Sequence, residues 1–186
     1  DVEYAKRLGY RIKHLALASQ GLHGIELRVH PTLVPERQML ANVDGVMNAI
    51  MINGDAAGPT LYYGAGAGAE ATASAVVADL VDVVRALSGN AENRVPHLAF
   101  KADSLVRSSI VDMHDVETAY YLRLSAIDQP GVLADVTRIL GNGGISIEAI
   151  LQQEPDEGVS TVPVIILTHR VRERAMDQAL TEIEAL

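Results

Sequence analysis

From residue 120 onward the apolar residues switch between period two and period 3.6, and the order of those switches constrains the fold more than any other feature. Leu122, Leu124 and Ala126 alternate with polar neighbours, which predicts a half-buried strand over 120–127. Asp128-Gln129-Pro130-Gly131 follows as a turn, with Asp128 the candidate N-cap and Pro130 near the first helical position. Val132, Leu133, Val136, Ile139 and Leu140 then form a helical stripe, stopped by Gly141-Asn142-Gly143-Gly144. Strands are expected over 145–152 and 162–169, separated by a polar loop over 154–160, and a second helix over 172–186. The order β-α-β-β-α is the ferredoxin-like pattern without its last strand.

The first half reads differently. A first strand is expected over 13–18, and Ile25, Leu27 and Val29 alternate with Glu26, Arg28 and His30 as in a second. A strand over 46–52 runs into Asn53-Gly54, the strongest short hairpin signal, and then into Thr60-Leu61-Tyr62-Tyr63. Antiparallel neighbours follow, because so short a turn cannot join parallel strands. A run of alternating glycine and alanine, Gly64 to Ala69, leads into a helix with Val76, Leu80, Val83, Val84 and Leu87 on one stripe, ended by Ser88-Gly89. Between 90 and 116 the periodicity fails, and Arg94-Val95-Pro96-His97 reads as connection. The expected class is α+β, with domain limits at 1–89, 90–116 (a linker) and 117–186.

Composition excludes several classes. The chain has 186 residues and no cysteine, so it has no disulfide framework and no thiolate metal site. A formal net charge of −9 argues against binding nucleic acid, which needs clustered Lys and Arg. The longest apolar run, 162–167, is too short to cross a bilayer, and no signal peptide opens the chain, so a cytoplasmic protein with no membrane partner is expected. The chain starts without Met inside a helical pattern and stops in a helix without a C-cap, which predicts a fragment. The six histidines show no metal-ligand spacing, and His30 on its strand reads as a structural hydrogen-bonding group. Asp79 and Asp82 read as a solvated helix face, Lys6 and Lys13 as solvated lysines, and Tyr62 and Tyr63 as packed on their sheet.

Gly64-x-Gly66-x-x-Ala69 between a strand and a helix matches the dinucleotide fingerprint. Glycines there admit a tight turn and a close approach of phosphate or ring to the backbone. The fingerprint also needs an acidic residue about 20 positions on, after a second parallel strand. Here the nearby acids, Asp79 and Asp82, lie inside the helix, and the preceding strands form hairpins, so this is no complete Rossmann unit.

A longer series carries a resemblance. Gly24-Ile25-Glu26-Leu27-Arg28-Val29-His30-Pro31-Thr32-Leu33, then Leu40-Ala41-Asn42-Val43-Asp44-Gly45-Val46-Met47-Asn48-Ala49, then Gly58-Pro59-Thr60 with Gly64 to Gly68 and Thr72-Ala73, resembles the end of the homoserine dehydrogenase catalytic domain. The resemblance implies that the loop faces an NAD or NADP cofactor held by a separate Rossmann domain, with Gly68 at the contacting position. Ala65 and Ala71 stand where related chains often carry proline. It also implies that the catalytic Asp and Lys precede Asp1, so no catalytic residue is assigned in this chain and the piece alone should be inactive.

Residues 122–133 and Gly144-Ile145-Ser146-Ile147-Glu148 are similar to an ACT domain, an amino-acid sensor, with Ser146 where many carry Asn. The resemblance implies an effector site at Asp128, Gln129, Pro130, Gly131, Val132, Leu133 and Ser146. The N–H groups of Val132, Leu133 and Ala134 at the helix start would hold a carboxylate. Asp128 or strand carbonyls near Ser146 would meet the ammonium. Such domains pair, so a homo-oligomer (dimer or tetramer) is expected, with L-threonine as effector. The alternatives are a helix start with no ligand and, for the whole chain, a non-enzymatic amino-acid-binding regulator whose first half is a dimerisation scaffold.

Overall fold

The structure, a computed structural model, describes residues 1–89, 100–152 and 161–186. The expected connection at 94–97 and the polar loop at 154–160 lie outside the described residues. Contacts gather the rest into two compact units, Asp1–Leu33 with Ser108–Leu186, and Val34–Arg107. They run differently from the sequence limits because Asp1 and Ile25 bond residues of the second half. Asp1 Oδ1 accepts from the Tyr121 hydroxyl at 2.8 Å and lies 3.4 Å from Arg123 Nη1.

The first unit opens with a short helix α1 (Val2–Arg7) and two long paired strands, β1 (Tyr10–Gly21) and β2 (Gly24–Pro35). At twelve residues each they far exceed the segments the alternation marked. Residues 109–111 run along β2: Ile25 N–H donates to Ser109 O at 2.8 Å and Val111 N–H to Ile25 O at 2.9 Å. Gly24 makes this possible, since a Cβ there would lie 2.4 Å from Ser109 O, and its φ is +133°.

The rest of this unit is the ferredoxin-like module in the expected order. β6 (Tyr121–Ile127), α3 (Val132–Asn142), β7 (Ile147–Gln152), β8 (Thr161–Thr168) and α4 (Glu173–Glu184) follow in sequence, and the sheet order is β6-β8-β7, antiparallel throughout. The continuous apolar run falls on β8 because that strand is central and covered on both faces. Leu122, Val136, Ile139, Leu140, Val162, Val164, Ile166 and Met176 form the core between sheet and helices. Gly143 and Gly144 close α3: Gly143 N–H reaches Ile139 O at 3.0 Å, and Ile145 N–H reaches Leu140 O at 2.9 Å across Gly144 at φ +70°. Two short strands, β5 (Glu117–Thr118) and β9 (Val171–Arg172), also pair, each too short for alternation to mark.

The second unit holds a 3-10 turn at Met39–Asn42, the strands β3 (Met47–Gly54) and β4 (Gly58–Ala65), and the helix α2 (Ala69–Ser88). The hairpin is antiparallel as expected, but its turn is not Asn53-Gly54. Those residues end β3, with Gly54 opposite Gly58, and the turn is Asp55-Ala56-Ala57. Two features favour the shift: Asp55 Oδ1 accepts the Ala56 N–H at 2.7 Å, and Gly58 supplies the positive φ of +70° that closes a three-residue loop.

The stripe on α2 forms as a helix face, yet none of its residues is buried; Leu80 is 59% and Leu87 79% exposed. Tyr62 and Tyr63 are also exposed, against the expectation that they pack on the sheet. Both hairpin and helix turn an apolar surface that nothing among the described residues covers, larger than a solvated helix normally shows.

Candidate functional site

The glycine loop is delivered by the β3–β4 hairpin. Gly64 and Ala65 still pair with Asn48 and Met47, after which Gly66 N–H bonds Val46 O at 3.2 Å as the chain leaves the sheet. Gly68 then takes φ +121° and ψ 154°, a conformation open only to glycine, and becomes the N-cap of α2. Nothing lies within 4 Å of where its Cβ would be. No side chain caps this helix start, so its first amides face outward. An exposed backbone at Gly68 beside a 20-residue helix N-terminus is an arrangement that accepts an anionic or planar ligand.

Gly66 is different. A Cβ there would sit 1.9 Å from Asn48 Nδ2 and 2.5 Å from its Cγ, so a carboxamide already occupies that space. Periodicity alone could not single out Asn48, which sits on β3 like any polar strand residue.

The Asp128–Gly131 turn departs from expectation in its cap. The N-cap of α3 is Gly131, at φ +100° and with no side-chain cap bond, rather than Asp128; Pro130 therefore precedes the helix. The Gly131 carbonyl accepts the Asp135 N–H at 2.9 Å, the first intrahelical bond, as an N-cap carbonyl does. Asp128, Gln129, Pro130 and Gly131 are all exposed, and the space beside Gly131 is open. Val132 N–H already reaches Gln129 O at 3.4 Å, whereas Leu133 turns its side chain to the core.

Ser146 lies elsewhere. β6 and β7 both run antiparallel to β8; Ile127 at the end of β6 pairs with Thr161, and Ile147 at the start of β7 pairs with Thr168. The turn and Ser146 thus stand at opposite ends of β8, separated by about 23 Å at ~3.3 Å per strand residue. One copy of the module does not bring them together. Ser146 is exposed, and its carbonyl accepts the His169 N–H at 2.8 Å.

The first unit also has an open cleft of about 640 Å³ lined by Arg28, His30, Tyr120, Glu148, Thr168 and Glu173 among others. Its polar groups largely satisfy one another. Tyr120 donates to Glu173 Oε2 at 2.5 Å, and Tyr120 N–H donates to the buried Thr168 hydroxyl at 3.0 Å. Arg28 Nε lies 2.7 Å from Glu26 Oε1, an ionic contact without hydrogen-bond alignment. His30 meets the Thr32 hydroxyl at 3.1 Å, as a structural histidine should. Burial, and then the carboxylate of Glu173, push the Tyr120 phenol well above its ordinary range.

Asp82 pairs with Arg85 on the exposed face of α2, as the solvated reading expects. No helix among the described residues is long and apolar enough to cross a membrane.

Comparison with known proteins covers both halves. Residues 1–81 match the profile of the homoserine dehydrogenase family, and residues 120–186 match that of the ACT domain. A homoserine dehydrogenase of Pseudomonas aeruginosa is 59% identical over 100% of this chain, which covers 43% of that protein. One from Neisseria gonorrhoeae is 48% identical, again over 100% of this chain and 42% of the relative. The crystal structure of a homoserine dehydrogenase from Thiobacillus denitrificans shares 58% identity and aligns with a TM-score of 0.89, over 100% of this chain and 42% of that one. The chain spans less than half the length of these relatives.

Proposed function

We propose that this chain, which belongs to the homoserine dehydrogenase family and carries an ACT domain over residues 120–186, is the cofactor-facing end and the sensor of a feedback-regulated enzyme. The complete protein interconverts L-homoserine and L-aspartate 4-semialdehyde with NAD or NADP, in the cytoplasm. The domain limits are 1–89 for the end of the substrate domain, 90–116 for the linker and 117–186 for the sensor. The catalytic Asp and Lys belong to the part of the relatives outside this match.

The observation that carries the cofactor reading is Gly68. Its backbone is held in a glycine-only conformation with open space in front of it, at the mouth of an uncapped helix. That is a fit for a dinucleotide approaching the main chain. The cofactor, when bound, supplies the hydride chemistry; the chain's own part is to keep the loop shaped for its approach. The apolar faces of α2 and the β3–β4 hairpin support a larger assembly that covers them.

The regulatory site is shared between copies. An amino acid is far shorter than the span between Gly131 and Ser146, so the turn of one copy and Ser146 of another form each site. L-threonine is the effector, its carboxylate at the Leu133 and Ala134 amides and its ammonium near Asp128. It inhibits by binding a less active arrangement more tightly. The test is an assay of the complete enzyme for homoserine-dependent reduction of NAD or NADP. No reduction with either cofactor by folded protein would overturn the reading.

A further inference from the structure

We propose that Asn48 is the positioning residue of the glycine loop: its carboxamide stands in for a side chain at Gly66 and sets the backbone path that leaves Gly68 open to the dinucleotide. The inference rests on the cofactor reading of Gly68 given above.

The hairpin register places Asn48 opposite Gly64, two residues before the loop turns away from the sheet. From there its side chain lies against the Cα of Gly66, where an added Cβ would meet Nδ2 at 1.9 Å, Cγ at 2.5 Å and Cβ at 3.1 Å. Nδ2 donates to Val46 O at 3.4 Å, and the same carbonyl accepts the Gly66 N–H at 3.2 Å. One carbonyl, in the turn just before β3, therefore gathers both the loop amide and the carboxamide that braces the loop. Gly66 is glycine because the amide needs its space, and Asn48 is an amide because it must donate while filling that space.

Charge separates this role from simple filling. Aspartate has the shape of asparagine but cannot donate to Val46 O, and it would put a negative charge beside a loop expected to face pyrophosphate. A residue that only packs would tolerate the change.

The experiment measures KM for the dinucleotide and for homoserine in the complete enzyme carrying Asn48→Asp, Asn48→Ala, Gly66→Ala or Gly68→Val. Asn48→Asp is expected to raise the dinucleotide KM about tenfold, equivalent to ~1.4 kcal/mol. The homoserine KM should stay within about twofold, and a smaller folded fraction would lower the apparent kcat while moving neither KM. Gly66→Ala should show the same defect, and adding Asn48→Gly should recover part of it by removing the clashing amide. If the Asn48 and Gly66 variants keep normal dinucleotide KM while Gly68→Val raises it, Asn48 has no positioning role and the cofactor reading stands. If Gly68→Val also changes nothing, the cofactor reading falls and this inference with it.

Discussion

The Tyr120 hydroxyl donates to Glu173 over 2.5 Å, tying the residue just before β6 to the first turn of α4. Both groups are partly buried, and burial first, then the bond to Glu173 and its charge, raise the phenol's pKa. Losing the hydroxyl leaves Glu173 short of a donor. Tyr120→Phe is expected to destabilise the fold by about 1.5 kcal/mol near neutral pH, as for other bonds to a charged group. Urea denaturation checks it.

The same bond has a pH signature. The folded phenol titrates above the unfolded one, so its contribution is complete below pH ~10 and is lost as pH climbs beyond that. Stability of the parent protein should therefore fall more steeply above pH ~10 than that of Tyr120→Phe. Parallel slopes for the two proteins in alkaline urea titrations would remove Tyr120 from the account.

Leu140 is fully buried between α3 and the sheet, whereas Leu80 on α2 is 59% exposed. Leu140→Ala should cost about 3 kcal/mol through lost burial and the cavity it leaves. Leu80→Ala in the same chain should change stability by no more than ~0.5 kcal/mol. Thermal melts of both variants make the comparison.

Gly24 lets residues 109–111 lie along β2, with Ser109 O only 2.4 Å from a would-be Cβ. Gly24→Ala adds a positive-φ penalty to that clash and should destabilise by about 2 kcal/mol. Hydrogen exchange at the Val111 amide should rise with it, since that amide bonds Ile25 O.

A shared effector site makes a genetic prediction. Gly131→Val blocks the turn and Ser146→Tyr blocks the far end of β8, so each alone should abolish threonine binding. In a mixed dimer one site keeps both intact halves. Co-refolding the two variants should restore binding at about a quarter of all sites, given random pairing in a two-fold dimer. Calorimetry showing none would place the effector elsewhere.

The element order from residue 120 was legible because Leu122, Val136 and Ile139 report a buried face through period, and Val164 lies in an apolar run long enough for a covered strand. The hairpin was legible too, but its turn was misplaced: Asn53-Gly54 carries the local signal, and the Gly58 conformation with the Asp55 bond outweighs it. Asp128 reads as a cap by residue type, yet Gly131 takes that position through a backbone angle that composition does not display. The exposure of Tyr62 and the α2 stripe was illegible, since an apolar face does not say which surface covers it. Asn48 beneath Gly66 depends on strand register, which periodicity leaves open.

The most direct test of the central claim is threonine inhibition of the complete enzyme, measured as homoserine-dependent reduction of NAD or NADP. The account predicts activity that falls saturably with L-threonine, and a Gly131→Val enzyme that stays active but is no longer inhibited. An active enzyme whose rate is indifferent to L-threonine at every concentration, with Gly131→Val behaving like the parent, would contradict it.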